Sequence, residues 1–146
     1  MPTYSFMDVT ASMTGPTGTL DLGYGSANAD EGITVTMAED KNTMTVGADG
    51  EVMHSLHAGK ASTVTVNLQK TSPLNKRLSL MYNAQSQSSA LWGNNVFVLR
   101  NKASGDIVTI RSAAFKRQPD WNNPKVAGMV AWVFDGGKTD QILGEF

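Results

Sequence analysis

Two stretches of this chain alternate with a period of two, and no other feature restricts its fold as strongly. In "GITVTMA" Ile33, Val35 and Met37 alternate with Thr34, Thr36 and Ala38, and in "STVTVNLQ" Val64, Val66 and Leu68 alternate with Thr63, Thr65, Asn67 and Gln69. Successive side chains of a strand point to opposite faces, so each stretch predicts a strand with one apolar face and one small, uncharged polar face. Further strands are expected in "TYSFMDVTASM", "NVFVLRN", "DIVTIRSAAF" and "GMVAWVFD", with "NKASGD" as a turn joining two of them. The expected class is mainly β.

One segment departs from that period. In "TSPLNKRLSLMYNAQ" Ser72 suits an N-cap and Pro73 a first helical position, and Leu74, Leu78, Met81, Tyr82 and Gln85 recur at helical spacing. A single amphipathic helix over residues 72–86 is expected to cover one side or end of the sheets, its apolar face part of the core. The 146 residues suit one domain. With no cysteine, disulfides, thiol chemistry and cysteine-ligated metal sites are excluded. The start "MPTYSFMDVT" lacks a basic region followed by an apolar run, and no stretch approaches the roughly 20 apolar residues of a membrane span. The expectation is a soluble, cytosolic protein.

Between the two alternating strands lies "NTMTVGADGEVMHSLHAG", residues 42–59. A turn at Gly47 to Gly50 makes it a hairpin with Met44, Val46, Val52, His54 and Leu56 on one face and Thr43, Thr45, Met53, Ser55 and His57 on the other. An isolated two-stranded hairpin is marginal in water, so this arm, residues 40–59, must be covered by its own domain or by another chain.

Chemical motifs are weak throughout. "DGGKT" at 135–139 recurs at the end of phosphate-binding loops, but the first glycine of that pattern would fall on Trp132, and too few residues follow for the phosphate-binding helix. "GYGSAN" at 23–28 lacks a third glycine and a βαβ setting. In "DKNTMTVGADGE" Met44 and Thr45 stand where a calcium loop needs an oxygen ligand and a glycine. His54 and His57, the only histidines, point to opposite faces of a strand and cannot share an ion there. No catalytic residue, cofactor or metal is assigned.

Charged residues make up 17% of the chain, against roughly 25% in ordinary soluble domains, and the net charge is −1. The near-neutral total conceals a polarity: residues 1–59 carry eight acids against Lys41, and residues 60–146 carry five acids against eleven bases. Such a chain can complement itself, unless folding intermixes the halves.

The block "EGITVTMAEDKNTMTVGADGEVMHSLHAGKASTVTVNLQKTSPLNKRLSLMYNAQSQSSALWG" resembles the central part of a family of bacteriophage structural proteins that are similar to the tail tube proteins of contractile-tailed phages. "TYSFMDV", "ASGDIVTIRSAAFKRQP" and "WVFDGGKTDQILG" extend the resemblance over nearly the whole chain. It implies a tail-tube-like β-sandwich or barrel spanning residues 1–146, with one flanking helix and a long protruding hairpin, akin to the tube protein of type VI secretion. It also implies a non-enzymatic virion protein, assembled in the host cytoplasm, whose hexameric rings stack into a channel for DNA ejection. The implied partners are further copies of the chain and sheath, baseplate and tape-measure proteins, with DNA passing unbound and no membrane. A secretion-system or tailocin tube, and a monomeric ligand-binding β-sandwich, are the alternatives.

Residue expectations follow from combining the two readings. Met44, Val46, Asp49, Gly50, Glu51, Val52, His54 and Leu56 form an intersubunit arm. Thr34, Thr36, Thr63, Thr65, Asn67 and Gln69 face the lumen, and Lys116 and Arg117 contribute to ring stacking.

Overall fold

The computed structural model describes residues 2–26 and 28–146, leaving aside the side chains of residues 29–31, so that two of the counted acids, Asp30 and Glu31, lie outside the described side chains. Ten strands and one helix follow in the order β1 (Val9–Gly15), β2 (Gly18–Asp21), β3 (Asn28–Met37), β4 (Asn42–Val46), β5 (Val52–Leu56), β6 (Ser62–Gln69), α1 (Leu74–Gln85), β7 (Asn95–Asn101), β8 (Asp106–Arg117), β9 (Met129–Gly136) and β10 (Lys138–Ile142). All pairings are antiparallel. The main path runs β2-β1-β7-β8-β9-β6-β3, with β10 added to β8 and the ends not joined into a closed barrel.

Strand β8 is the corner of this path. Its first half pairs with β7 and β10, and its second half, from Ala114, pairs with β9. Between the halves Ser112 takes φ 54, a left-handed conformation uncommon for a residue with a Cβ, and the strand bends there from one sheet into the other. The two sheets enclose Met13, Leu22, Val64, Val66, Leu68, Phe97, Ile110, Trp132 and Phe134, each at most 2% exposed. Phe134 sits at the junction, its ring centroid 4.9 Å from that of Phe97 and 4.8 Å from that of Phe115.

The glycines before β10 permit this crossing. Gly137 donates to the Arg111 carbonyl beside the bend, and a Cβ on Gly136 would lie 2.5 Å from Ile110 Cγ2 and 2.7 Å from Ser62 Oγ. The "DGGKT" motif is therefore the step from β9 to β10, where backbone must approach backbone closely. Gly136→Ala is expected to cost about 1–3 kcal/mol through overpacking, read as a lowered midpoint in urea denaturation; an unchanged midpoint would refute the close-approach role.

The helix matches its periodicity. Leu74, Leu78, Met81 and Gln85 are buried, and α1 bridges the sandwich, with Arg77 donating to the Thr19 carbonyl beside one sheet and Asn75 Oδ1 accepting from Trp132 Nε1 of the other. It begins at Leu74 rather than Ser72. Pro73 takes the cap position, and the buried Ser72 hydroxyl instead donates to the Ser26 carbonyl and accepts from the Leu74 amide. The one polar member of the buried stripe, Gln85, forms a reciprocal amide pair with Asn95, both bonds 2.9 Å. A pair satisfied this way tolerates burial.

Three sequence expectations change. The segment "TYSFMDVTASM" opens with a 3-10 turn at Phe6–Asp8, where the Ser5 hydroxyl accepts from the Met7 amide, and becomes a strand only at Val9. Strands β2 and β10 were not expected, since neither "GTLD" nor "KTDQI" carries an apolar alternation. Asn67 is the third. It is 5% exposed and donates to the Gly32 carbonyl, so its side chain is packed within its own copy at the β3 irregularity and not on an exposed polar face.

Candidate functional site

Strands β4 and β5 form a two-stranded sheet of their own, paired with no other strand among the described residues. Their register places Asn42 opposite Leu56, Met44 opposite His54, and Val46 opposite Val52, with Thr43 and Thr45 facing Ser55 and Met53 on the other side. Opposed residues share a face, so the expected division into two faces is the observed one. The turn is closed by Gly47 donating to the Glu51 carbonyl and Gly50 donating back to that of Gly47, with Gly50 at φ 87. Asp49 supplies a second tie by accepting from the Glu51 amide at 3.2 Å.

The base is equally well fixed. His57 donates its backbone N–H to the Lys41 carbonyl, and the Lys41 ammonium donates to the Gly59 carbonyl at 2.7 Å. The histidines are structural members of this ladder. His54 Nδ1 lies 3.1 Å from Asn42 Nδ2, and His57 Nε2 lies 2.6 Å from Thr43 Oγ1. No group of three or more metal-ligating side chains occurs among the described residues.

What distinguishes the arm is its exposure. Met44 and Val46 are 57% exposed, Val52 51%, Met53 59% and Leu56 88%. Five large apolar side chains on one narrow ribbon exceed what a soluble surface ordinarily leaves uncovered. The arm does not fold back onto its own domain, and of its ten strand residues only Ser55 is even half-buried.

The remaining expected positions lie elsewhere. Thr34 opposes Thr65 and Thr36 opposes Thr63, so these threonines form a neutral patch on the outer face of β3 and β6, exposed on β3 and half-buried on β6, with Gln69 exposed at its end and Asp135 of β9 bordering it opposite Thr63. Lys116 and Arg117 are exposed at the end of β8, and Lys116 lies 3.9 Å from the Asp135 carboxylate of β9. That neighbour offsets part of the positive charge expected there.

A denser cationic cluster went unnoticed in the sequence. Lys60, Arg111 and Lys138 converge at the base of the arm around Asp140, which accepts from Arg111 at 2.6 Å and from Lys60 at 3.2 Å. The Arg111 guanidinium first, and then the Lys60 ammonium, hold the Asp140 carboxyl below its ordinary value. These residues are scattered along the chain, and only the β8–β10 pairing unites them. The ion pairs found among the described residues all lie within residues 60–146. The described acids of the N-terminal half take part in no ion pair, although the strands of the two halves are interleaved and Asp21 lines one concavity with Arg77 and Arg100.

Comparison with known proteins identifies this architecture. The model of the bacteriophage PhiTE tail tube protein family matches residues 1–144. The chain belongs to that family. Tail tube proteins are structural, and the family is not an enzymatic one; membership makes the chain a component of a phage tail. No curated protein shows a significant match. Among solved structures, the fold is similar to a chain of an extracellular contractile injection system in its extended PVC sheath-tube complex, with TM-score 0.58 at 6% identity over 97% of this chain and 92% of that one. A chain of the anti-feeding prophage tube-terminating cap gives TM-score 0.57 at 6% identity, covering 99% and 93%. The sheath/tube terminator of the PVC system gives 0.59 at 9%, covering 97% and 98%. At such identities the likeness concerns the fold, and it spans nearly the full length of each of these chains.

Proposed function

We propose that this tail tube protein assembles into rings of six copies, that the β4–β5 arm reaches from each copy onto its neighbours, and that stacked rings form the channel through which DNA leaves the capsid. The observation that carries the reading is the arm itself: a hydrogen-bonded ribbon, held at its base, with its apolar face uncovered. In a monomer that surface is a liability; between copies it is a contact. Sheath, baseplate and tape-measure proteins are the further partners of such a tube, as the sheath-tube setting of one similar fold suggests. Lys116 and Arg117 belong, in this reading, to the positive face of a ring stacked head to tail. Sedimentation of the purified chain over a range of concentrations tests assembly directly: growth from monomer to rings and longer particles is expected, and a single monomeric boundary throughout would overturn the reading.

The channel wall is assigned to the neutral patch of Thr34, Thr36, Thr63, Thr65 and Gln69, without Asn67. Short uncharged side chains offer phosphate oxygens no cation, so DNA can slide past without being held. A cysteine replacing Thr34, an exposed position in the single copy, is expected to react quickly with a bulky thiol reagent before assembly and much more slowly inside tubes. Equal rates in both states would place the patch outside the lumen.

A further inference from the structure

The acids of the arm tip and the cations at the arm base form a complementary pair that one copy cannot bring together. Lys60 leads out of the arm towards β6, and Arg111 and Lys138 face one another directly across the β8–β10 ladder. Like charges so placed are unfavourable, and Asp140 relieves Arg111 and Lys60 only, leaving Lys138 without an ion-pair partner among the described residues. Three cations around one carboxylate keep the cluster positive. With Gly59 and Gly137 they line a concavity of about 560 Å³, at whose edge the Glu39 carboxylate lies against Gly59.

The tip has the opposite character. Asp49 and Glu51 stand within a turn narrowed by Gly47 and Gly50, and neither belongs to an ion pair among the described residues. Each arm strand has five residues, roughly 17 Å at about 3.4 Å per residue, and the two are hydrogen-bonded along their length. Tip and concavity of one chain are thus held apart by a stiff ribbon.

We infer that the tip of one copy's arm docks into the Lys60–Arg111–Lys138 concavity of a neighbouring copy. The inference rests on the tube reading above and supplies its receiving surface. Two different patches that complement each other make a head-to-tail contact, which closes into a ring or continues as a filament according to the rotation between copies. The apolar face of the arm supplies burial along its length. The charged tip sets the register, since opposed charges steer association and penalise misplaced contacts.

A charge exchange in the full chain tests this. D49N/E51K makes the tip positive, and K60Q/K138E makes the concavity negative while Arg111 keeps Asp140 as its partner. Each double variant alone is expected to need about tenfold or more protein to assemble, equivalent to a loss of about 1.4 kcal/mol per contact. The chain carrying all four substitutions, or an equal mixture of the two double variants, is expected to assemble within about threefold of the wild-type concentration, because compensating changes restore the pair. Assembly of both double variants at the wild-type concentration would overturn the inference while leaving the tube reading intact. So would failure of the exchange to restore assembly when circular dichroism shows all variants folded. A wild-type chain that stays monomeric would remove the tube reading, and this inference with it.

Discussion

Val46→Asp and Leu56→Asp are each expected to leave a folded domain that no longer assembles. Both side chains are exposed in the single copy, Leu56 at 88%, so removing them takes nothing from the core and stability should stay within about 0.5 kcal/mol of wild type. In the proposed tube the same positions lie against a neighbour. A carboxylate there is an unpaired charge out of water, costing about 3–5 kcal/mol for each contact. That is roughly two to four orders of magnitude in the association constant, since each 1.4 kcal/mol is a factor of ten. Urea denaturation and sedimentation separate the two effects. Normal assembly by both variants would exclude the arm as an intersubunit contact, whereas loss of folding in either would show that the arm supports its own domain.

Phe134→Ala is expected to do the reverse and strike the fold first. Phe134 is fully buried and its ring packs edge-on to Phe97 and at a tilt to Phe115, so it ties strands of both sheets together at the β8 corner. Truncating a buried phenylalanine costs about 3–5 kcal/mol in lost burial and residual cavity. For a chain of this size the thermal midpoint should fall by roughly 10 °C or more. A loss below about 1 kcal/mol would mean that the two sheets do not depend on this junction. Assembly in the variant should recover at low temperature, where the domain is folded, because its arm is untouched.

The central strands were legible because burial on one face leaves a period of two in the sequence. Val64, Val66 and Leu68 are all completely buried, as that period requires, and the opposed register of the arm follows from its Gly-Ala-Asp-Gly turn. Where burial depends on a few atoms, the sequence was silent. Leu20 is the only buried residue of β2, and β10 is pinned by Thr139, whose hydroxyl lies 2.6 Å from that of Ser62. Asn67 shares the sequence position of a surface threonine, yet Gly32, at φ 61, turns a carbonyl towards it. An isolated glycine inside a strand pattern marks such an irregularity, and "EGITV" carried that signal.

The assembly surface divides in the same way. The arm is local in sequence, so its faces and turn could be read directly; its exposure could not, because alternation looks the same against a neighbour as against one's own sheet. The resemblance supplied the partner, and the structure removed the self-covered alternative. The basic concavity was invisible. Lys60, Arg111 and Lys138 become neighbours only after β8 bends at Ser112 and the chain steps through Gly136 and Gly137. Lys116 and Arg117 attracted notice because they are adjacent in sequence, a poor guide to local charge once Asp135 is beside Lys116.

Electron microscopy of the purified wild-type chain beside Leu56→Asp, at matched concentrations, tests the role of the arm most directly. Rings and stacked tubes from the wild type, with only dispersed single copies from the folded variant, are the expected result. Tubes of the same width and length from both proteins would contradict an assembly held by the arm.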